Sequence, residues 1–300
     1  MAPSKSSDLP VDPNSLALPR VDHDRLVRGQ HDRPHAVLGA HALSLEGRAG
    51  FVVRAFHPAA AAASVLVDGK AQPMHALSVG LFATFVPSAG SAPAYRLRFA
   101  FEGGAEWETD DGYRFAPTVG PLDLHLFGEG KHRRLYEVLG ARPMRIEGVA
   151  GTAFAVWAPR ARRVSVVGDF CAWDGLRYPM RRLAGSGVFE LFVPGVGEGE
   201  LYKFEILTAE GALRLKTDPF ARAMEEPPGT ASRVTASAYR FGDDDWMAAR
   251  GSRDATREPM AIYEVHLGSW MRDAEGRFFG YRDIAPRLIE HVRSLGFTHV

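Results

Sequence analysis

The 300-residue sequence has very little cysteine and no long hydrophobic run. Its one cysteine, Cys171, excludes an internal disulfide and any metal site with two thiolate ligands, and it fits a reducing compartment. The N-terminal residues lack an uninterrupted apolar core of signal-peptide length, and no later segment approaches the length of a membrane span. We therefore expect a cytoplasmic protein that has no membrane partner.

The sequence also lacks an excess of charge of either sign. The 36 Lys and Arg residues balance the 36 Asp and Glu residues, so no electrostatic argument favours nucleic acid as a partner. The eleven histidines show no metal-ligand spacing beyond His31 and His35, and the proline between these two disrupts a helical pair. The glycine-rich stretches 128–131 and 195–199 lack the spacing and context of a nucleotide site. The sequence predicts no cofactor, no metal and no nucleic acid.

What the chain does contain is an internal repeat. VLGA at 37–40 recurs at 138–141, and the matching positions that follow keep an offset of 101 (157 against 56, 165 against 64). Beyond residue 80 the offset is 107 (187 against 80, 202 against 95), so the second copy has six extra residues, 107 minus 101. This insertion surrounds residues 171–179, beside Trp173. Self-similarity of this kind indicates two copies of one domain.

Both copies have the pattern of β-sandwiches. Short runs rich in β-branched and aromatic residues alternate with turn residues, as at 51–56 and 64–67 in the first copy and 154–157 and 164–167 in the second. Apolar and polar side chains alternate over 201–207, which is typical of a strand with one face in a core. The predicted fold is mainly β, with two tandem immunoglobulin-like sandwiches.

Residues 261–300 have a different pattern. Residues 261–266 and 297–300 read as strands, and 281–295 read as an amphipathic helix that ends at Gly296. Such a βαβ unit belongs in a sheet that is covered on both faces, and three elements cannot build one. We expect the incomplete start of an α/β domain; the alternative is that these residues pack on the second sandwich or on another copy of the chain.

The predicted divisions of the chain are a disordered N-terminal tail at 1–24, the first sandwich at 25–120, the second sandwich at 121–236, and a linker with the incomplete α/β domain at 237–300.

Trp173 is the candidate for ligand contact. It stands where a predicted strand meets the turn Asp174–Gly175, and an indole at such a place can stack on the apolar face of a pyranose. Lys203, on the outer face of its strand by the alternation, can donate to sugar hydroxyls. The alternative for Trp173 is an interior ring that seals the sandwich. The candidate carbohydrate-binding residues are Trp173 and Lys203.

Several segments resemble a known family. Residues 139–218 resemble a family 48 carbohydrate-binding module, a sandwich associated with α-glucans. The segments GDF at 168–170, WDG at 173–175, PMR at 179–181, FELFVPG at 189–195, LYK at 201–203 and LRLKTDP at 213–219 resemble bacterial glycogen branching enzymes of glycoside hydrolase family 13. IYEVHLGSW at 262–270 is similar to the first strand of that family's (β/α)8 barrel, and FTHV at 297–300 to the second.

This resemblance implies an enzyme that transfers α-1,4-glucan segments to 6-hydroxyls and so forms α-1,6 branches in glycogen. The reaction uses two carboxyl groups about 5 Å apart, which lie in the family at the ends of later barrel strands. None of these positions falls within residues 1–300, so no catalytic residue is assigned and this chain alone is expected to be inactive.

The resemblance also implies weak glucan affinity. The second stacking tryptophan of regulatory relatives falls here at Leu213–Arg214, and the first copy has nothing that matches Trp173. The expected partner is α-1,4-glucan or glycogen, bound by a monomer. Two alternatives stay open: a non-catalytic glycogen-binding or scaffold protein, and a fragment of a debranching or trehalose-releasing relative, against which LGSW at 267–270 argues.

Overall fold

The computed structural model describes residues 12–254 and 256–300, and the chain divides into two compact units, one ending at Ser237 and the other beginning at Ala238. The first unit is mainly β, as predicted, and contains both copies of the repeat. The regular elements among the described residues of the second unit are helices, joined by long irregular segments.

The first copy forms a sandwich of antiparallel sheets. Its strands are β1 Gly39–Leu45, β2 Arg48–Phe56, β3 Ala60–Val67, β4 Lys70–Pro73, β5 His75–Ser78, β6 Leu81–Pro87, β7 Tyr95–Phe101 and β8 Glu106–Asp110. One sheet has the order β1-β2-β6-β5 and the other β4-β3-β7-β8. Val53 and Phe82 of the first sheet pack against Val65, Leu97 and Phe99 of the second, so the core lies between the two sheets.

The second copy repeats this arrangement. Its strands are β9 Gly140–Ile146, β10 Val149–Trp157, β11 Ala161–Gly168, β12 Arg181–Leu183, β13 Val188–Pro194, β14 Leu201–Thr208, β15 Leu213–Lys216, β16 Ala223–Met224 and β17 Ser232–Arg233. The sheet β12-β13-β10-β9 faces the sheet β11-β14-β17-β16, and β15 pairs with β14. Phe154 and Phe189 pack against Val164, Val166 and Phe204 in its core. The two predicted sandwiches are confirmed.

A buried tyrosine–aspartate pair recurs at the predicted offset. The Tyr95 hydroxyl donates to Asp111 Oδ2 at 2.6 Å, and the Tyr202 hydroxyl donates to Asp218 Oδ2 at 2.5 Å. The two tyrosines are 107 positions apart (202 against 95), and so are the two aspartates (218 against 111). Burial raises the pKa of both carboxyl groups, that of Asp111 to about 6. The repeat thus extends from backbone pattern to individual hydrogen bonds.

The six extra residues of the second copy lie in a loop between β11 and β12. In the first copy β4 follows β3 directly and pairs with it over four residues. In the second, residues 169–180, here called the Trp173 loop, take that place, and their only strand-like pairing with β11 is one isolated antiparallel bridge, Ser165 with Pro179. A paired strand is therefore replaced by a loop.

The predicted disordered tail is wrong from residue 12 onward, and residues 1–11 lie outside the described part. A 3-10 turn, Pro13–Leu16, precedes helix α1, Arg20–Val27. Leu16 is fully buried in a cluster with side chains of β2 and β6. Burial of the Leu16 side chain offsets the entropic cost of ordering the segment. The polar composition of the segment is typical of disorder and gives no sign of this burial. The corresponding helix of the second copy is α2, Pro121–Gly128.

The second unit contains α3 Asp244–Arg250, α4 Leu267–Trp270 and α5 Tyr281–Ser294. Helix α5 buries Ile284, Leu288 and Val292, which confirms the predicted apolar face. The predicted strand at 261–266 is reduced to one parallel bridge, between Ile262 and His299. A parallel strand needs partners along its length, and in the described part of this unit neither segment has a further neighbour with which to form a sheet.

Candidate functional site

The Trp173 loop begins where β11 ends at Gly168. A 3-10 turn over Asp169–Cys171 leads into Ala172 and Trp173, both of which have left-handed backbone conformations, with φ of 51° and 59°. Non-glycine residues rarely adopt this region, and each costs on the order of 1–3 kcal/mol unless the surroundings impose it. Two such residues in succession mark this loop as strained, a feature typical of functional sites.

Hydrogen bonds to the end of β11 close the turn. The Trp173 amide donates to Gly168 O at 3.0 Å, and the Asp174 amide donates to Cys171 O at 3.1 Å. Cys171 is fully buried, its Sγ accepts from the Gly168 amide at 3.3 Å, and burial raises the pKa of its thiol. The cysteine is therefore a packed support beneath the turn rather than a reactive group.

The Trp173 ring is held in a defined orientation. Its Nε1–H donates to Asp169 Oδ1 at 2.8 Å, and the residue as a whole is half-buried. Trp173 is thus neither fully exposed nor fully buried. A hydrogen bond at the Nε1–H edge fixes the orientation of the ring, and a stacking surface needs such a fixed orientation.

A buried ion pair supports the loop from below. Arg163 on β11 donates through Nη2 to Glu205 Oε1 at 2.7 Å and through Nη1 to Gly175 O at 2.9 Å, and its side chain is 3% exposed. A Cβ on Gly175 would lie 1.9 Å from Glu205 Oε1, so a larger residue here would have to displace the carboxylate that Arg163 binds. Arg163 therefore connects the sheet to the turn that carries Trp173.

Lys203 lies close to this turn in the sheet. Its backbone pairs with Val167, the residue before Gly168 to which the Trp173 amide is bonded. The side chain is partly exposed, and Nζ donates to Thr230 Oγ1 at 2.7 Å. The structure therefore places Trp173 and Lys203 at the same end of β11 and β14, with the ammonium group bonded to a threonine hydroxyl.

Strand β15 forms the outer edge beside Lys203. Its residues Leu213–Lys216 are all exposed, and Leu215 pairs with Glu205. The side chains here are aliphatic and basic, so this edge offers no second ring next to Trp173.

Trp157 is the ring whose exposure the sequence pattern concealed. It ends β10 in an apolar run, yet 52% of it is exposed, and its Nε1 donates to Ser186 O at 3.2 Å. The equivalent residue of the first copy, Phe56, is buried. The only sign of this exposure in the sequence is the comparison of the two copies, because Trp157 stands where the first copy has the smaller ring of Phe56.

Charged and ligating groups are otherwise paired or scattered. The described residues hold no group of three His, Cys, Asp or Glu side chains placed to bind a metal ion. Nor does any helix over 12–254 and 256–300 have the length and apolarity needed to span a membrane. The arrangement around Trp173 provides ring stacking and hydrogen bonding.

Family models match each sandwich separately. Residues 138–221 match "Carbohydrate-binding module 48 (Isoamylase N-terminal domain)", and residues 20–113 match "alpha-1,4-glucan branching enzyme GlgB, N-terminal domain". The sandwich that carries the Trp173 loop is therefore similar to carbohydrate-binding modules of family 48.

Curated relatives extend this match to the whole chain. The "1,4-alpha-glucan branching enzyme GlgB 2" of Streptomyces coelicolor is 47% identical over 99% of this chain and 39% of its own length. The branching enzyme GlgB of Rubrobacter xylanophilus is 50% identical over 92% of this chain and 38% of its own. A solved pullulanase with maltotriose from Anoxybacillus sp. LM18-11 is 16% identical, covers 87% of this chain and 38% of that one, and has a TM-score of 0.34, too low to bear on function.

The chain thus spans little more than a third of the length of the curated relatives it matches. It corresponds to the N-terminal region of the 1,4-alpha-glucan branching enzymes.

Proposed function

We propose that the second sandwich binds α-1,4-glucan chains, with the Trp173 indole as the stacking surface and Lys203 as a hydrogen-bond donor. The observation that carries this proposal is the conformation of the Trp173 loop, whose strain and indole hydrogen bond orient the ring. The match to a carbohydrate-binding module and the names of the relatives support the choice of ligand.

The chemistry of the site suits a weakly held polysaccharide. An indole face covers the apolar face of one glucose ring, and an ammonium group donates to hydroxyl oxygens. A single ring gives low affinity per sugar, which a polymer with many repeats can overcome by offering many sites. Glycogen is therefore a better ligand than a short oligosaccharide.

In the longer protein to which this region corresponds, the proposed activity is α-1,4 to α-1,6 glucan transfer. That reaction requires a carboxylate nucleophile and a carboxylic acid about 5 Å apart on a catalytic barrel. We propose that the 300-residue chain alone is a cytoplasmic monomer without branching activity. New α-1,6 linkages formed in amylose by this chain would contradict the last point.

The first test is Trp173→Ala in a glycogen-containing affinity gel. We expect the variant to migrate faster than the parent chain in the gel, with little change in melting temperature, because the ring contributes stacking rather than core packing. Trp246→Ala, in the second unit, is the matched control and should be retained like the parent. A large fall in melting temperature with unchanged retention would assign the Trp173 ring to the core. Loss of retention in Trp157→Ala, with Trp173→Ala unaffected, would move the platform to Trp157.

A further inference from the structure

The Trp173 loop touches the first sandwich as well as its own. Leu176 packs on the cluster that contains Leu26 and Val37, and the Arg177 guanidinium carbon lies 5.0 Å from the centroid of the Trp107 ring on β8. A cavity of only about 40 Å³ remains beside Trp107 and Arg177. The C-terminal half of the loop is therefore packed into the junction between the two sandwiches.

Polar contacts fasten the end of the loop to the same neighbour. The Tyr113 hydroxyl donates to Pro179 O at 3.2 Å, and the Arg182 amide donates to Asp32 O at 2.8 Å. Tyr113 follows β8 and Asp32 precedes β1, so both partners belong to the first copy. The loop thus has one support in its own sheet, through Arg163, and a second in the first sandwich.

Because the loop is strained, its conformation depends on this second support. Left-handed residues such as Ala172 and Trp173 persist where the surrounding structure imposes their conformation. The corresponding turn of the first copy, Asp68–Gly69, needs no such contact because β4 continues it as a paired strand. We propose that the first sandwich positions the Trp173 ring, with Arg177 on Trp107 as the principal contact, so that glucan affinity in the second sandwich depends on the first.

This inference rests on the proposed function only for the identity of the ligand. Trp107 is itself a positioning residue, because its ring stacks on Phe99 at 5.9 Å and receives Arg177. An Arg-on-indole contact is of moderate strength, and its loss should shift a loop equilibrium without unfolding the sandwich.

The test compares Arg177→Ala with Arg177→Lys. We expect Arg177→Ala to weaken retention on glycogen by about three- to tenfold, which lies within the range expected for the loss of one cation–π contact. In the absence of glycogen, hydrogen exchange of the Trp173 and Asp174 amides should accelerate by a similar factor, while exchange in strand β13 stays unchanged. Arg177→Lys keeps a cation over the ring and should restore most of both properties.

The second unit offers a matched control. The Arg250 guanidinium carbon lies 5.3 Å from the centroid of the Trp246 ring, so Arg250→Ala removes a comparable contact within the other unit. This variant should leave retention on glycogen and exchange of the Trp173 amide as in the parent.

The outcomes separate the two proposals. Parent-like exchange and retention in Arg177→Ala would overturn the positioning role. So would lost retention with parent-like loop exchange, because Arg177 would then contact the glucan itself. Faster exchange in Arg177→Ala, together with full retention of Trp173→Ala on glycogen, would support positioning and refute the proposed binding function.

Discussion

The two sandwiches share the strand order of one sheet and a buried Tyr–Asp pair, and they differ most clearly at the connection that follows β3 in one and β11 in the other. In the first copy, Asp68–Gly69 joins β3 and β4 as a tight turn, with φ of 48° and 75°. In the second, twelve residues, 169–180, replace that turn and the paired strand. One copy therefore has a regular sheet edge, and the other has a strained loop with an indole.

This difference shows how a duplicated scaffold can acquire a site. The core and the ladder hydrogen bonds supply stability in both copies, so a single connection can change without loss of the fold. The altered connection then needs its own supports, which are Arg163 below and Arg177 beside it. Three variants follow, each with a comparison variant in the other copy. They test whether the two copies differ in stability at these positions as much as the structure indicates.

The largest effect is expected for Arg163→Ala. Its removal leaves the Glu205 carboxylate partly buried without its cation and frees Gly175 O, so unfolding should become easier by about 3 kcal/mol. Thermal or urea unfolding measures this loss. The control is Arg98→Ala in the first sandwich, whose side chain is 35% exposed against 3% for Arg163, so its pairs with Glu106 and Glu108 are better solvated and a smaller change is expected there. If Arg163→Ala and Arg98→Ala lowered the free energy of unfolding equally, burial of the Arg163–Glu205 pair would be shown to be unimportant.

The next effect in size is expected for Gly168→Ala. A Cβ at this position would lie 2.2 Å from Leu201 O and 2.5 Å from Phe170 Cε1, whereas the first copy has Val67 at the equivalent place. Displacement of the loop should cost about 2 kcal/mol and lower retention on glycogen. Val67→Ala serves as the comparison, because the loss of two half-buried methyl groups should cost about 1 kcal/mol. A Gly168→Ala variant as stable as the parent would mean that the loop moves to accommodate the methyl group without a measurable cost in stability.

The smallest effect depends on pH and concerns the segment before each sandwich. Both ring nitrogens of His35 are buried and have no partner among the described residues, and burial lowers the pKa of His35 from 6.5 to about 2. Below pH 6.5 the unfolded chain takes up a proton that the folded chain does not, so stability falls with falling pH. At pH 5 the loss should be about 1–2 kcal/mol.

His35→Leu should reduce this acid sensitivity in unfolding experiments at pH 7 and pH 5, and the remainder should come from other buried histidines such as His57, whose pKa burial lowers to about 4. The residue at the equivalent place of the second copy, Tyr136, is exposed, so Tyr136→Leu should leave the pH dependence as in the parent. The same slope in His35→Leu and in the parent chain would assign the acid sensitivity to other groups.

The sequence predicted the sandwiches because their signals are local and doubled. Period-two alternation, as over β14, and turn glycines each appear twice at a fixed offset, which supports the strand assignments twice. The helix α5 was predictable for a similar reason, since its apolar face repeats at helical spacing. The place of the Trp173 loop followed from the change of offset.

Features that depend on distant contacts were not predictable. Leu16 looks like one apolar residue in a polar segment, and only the folded first sandwich provides the pocket that buries it. Trp157 continues an apolar strand, and its exposure depends on what covers the end of the sandwich. The contact between Arg177 and Trp107 joins residues seventy positions apart (177 against 107), so no local pattern indicates it.

The position of the single thiol has a practical consequence. Cys171 is shielded in the turn that carries the indole, and a maleimide or iodoacetamide can reach it only when that turn opens. Because the chain has no other sulfhydryl, the alkylation rate of the unmodified protein reports how often this segment opens. Cys171 is thus a natural reporter of opening at this turn, and no cysteine has to be introduced for the measurement.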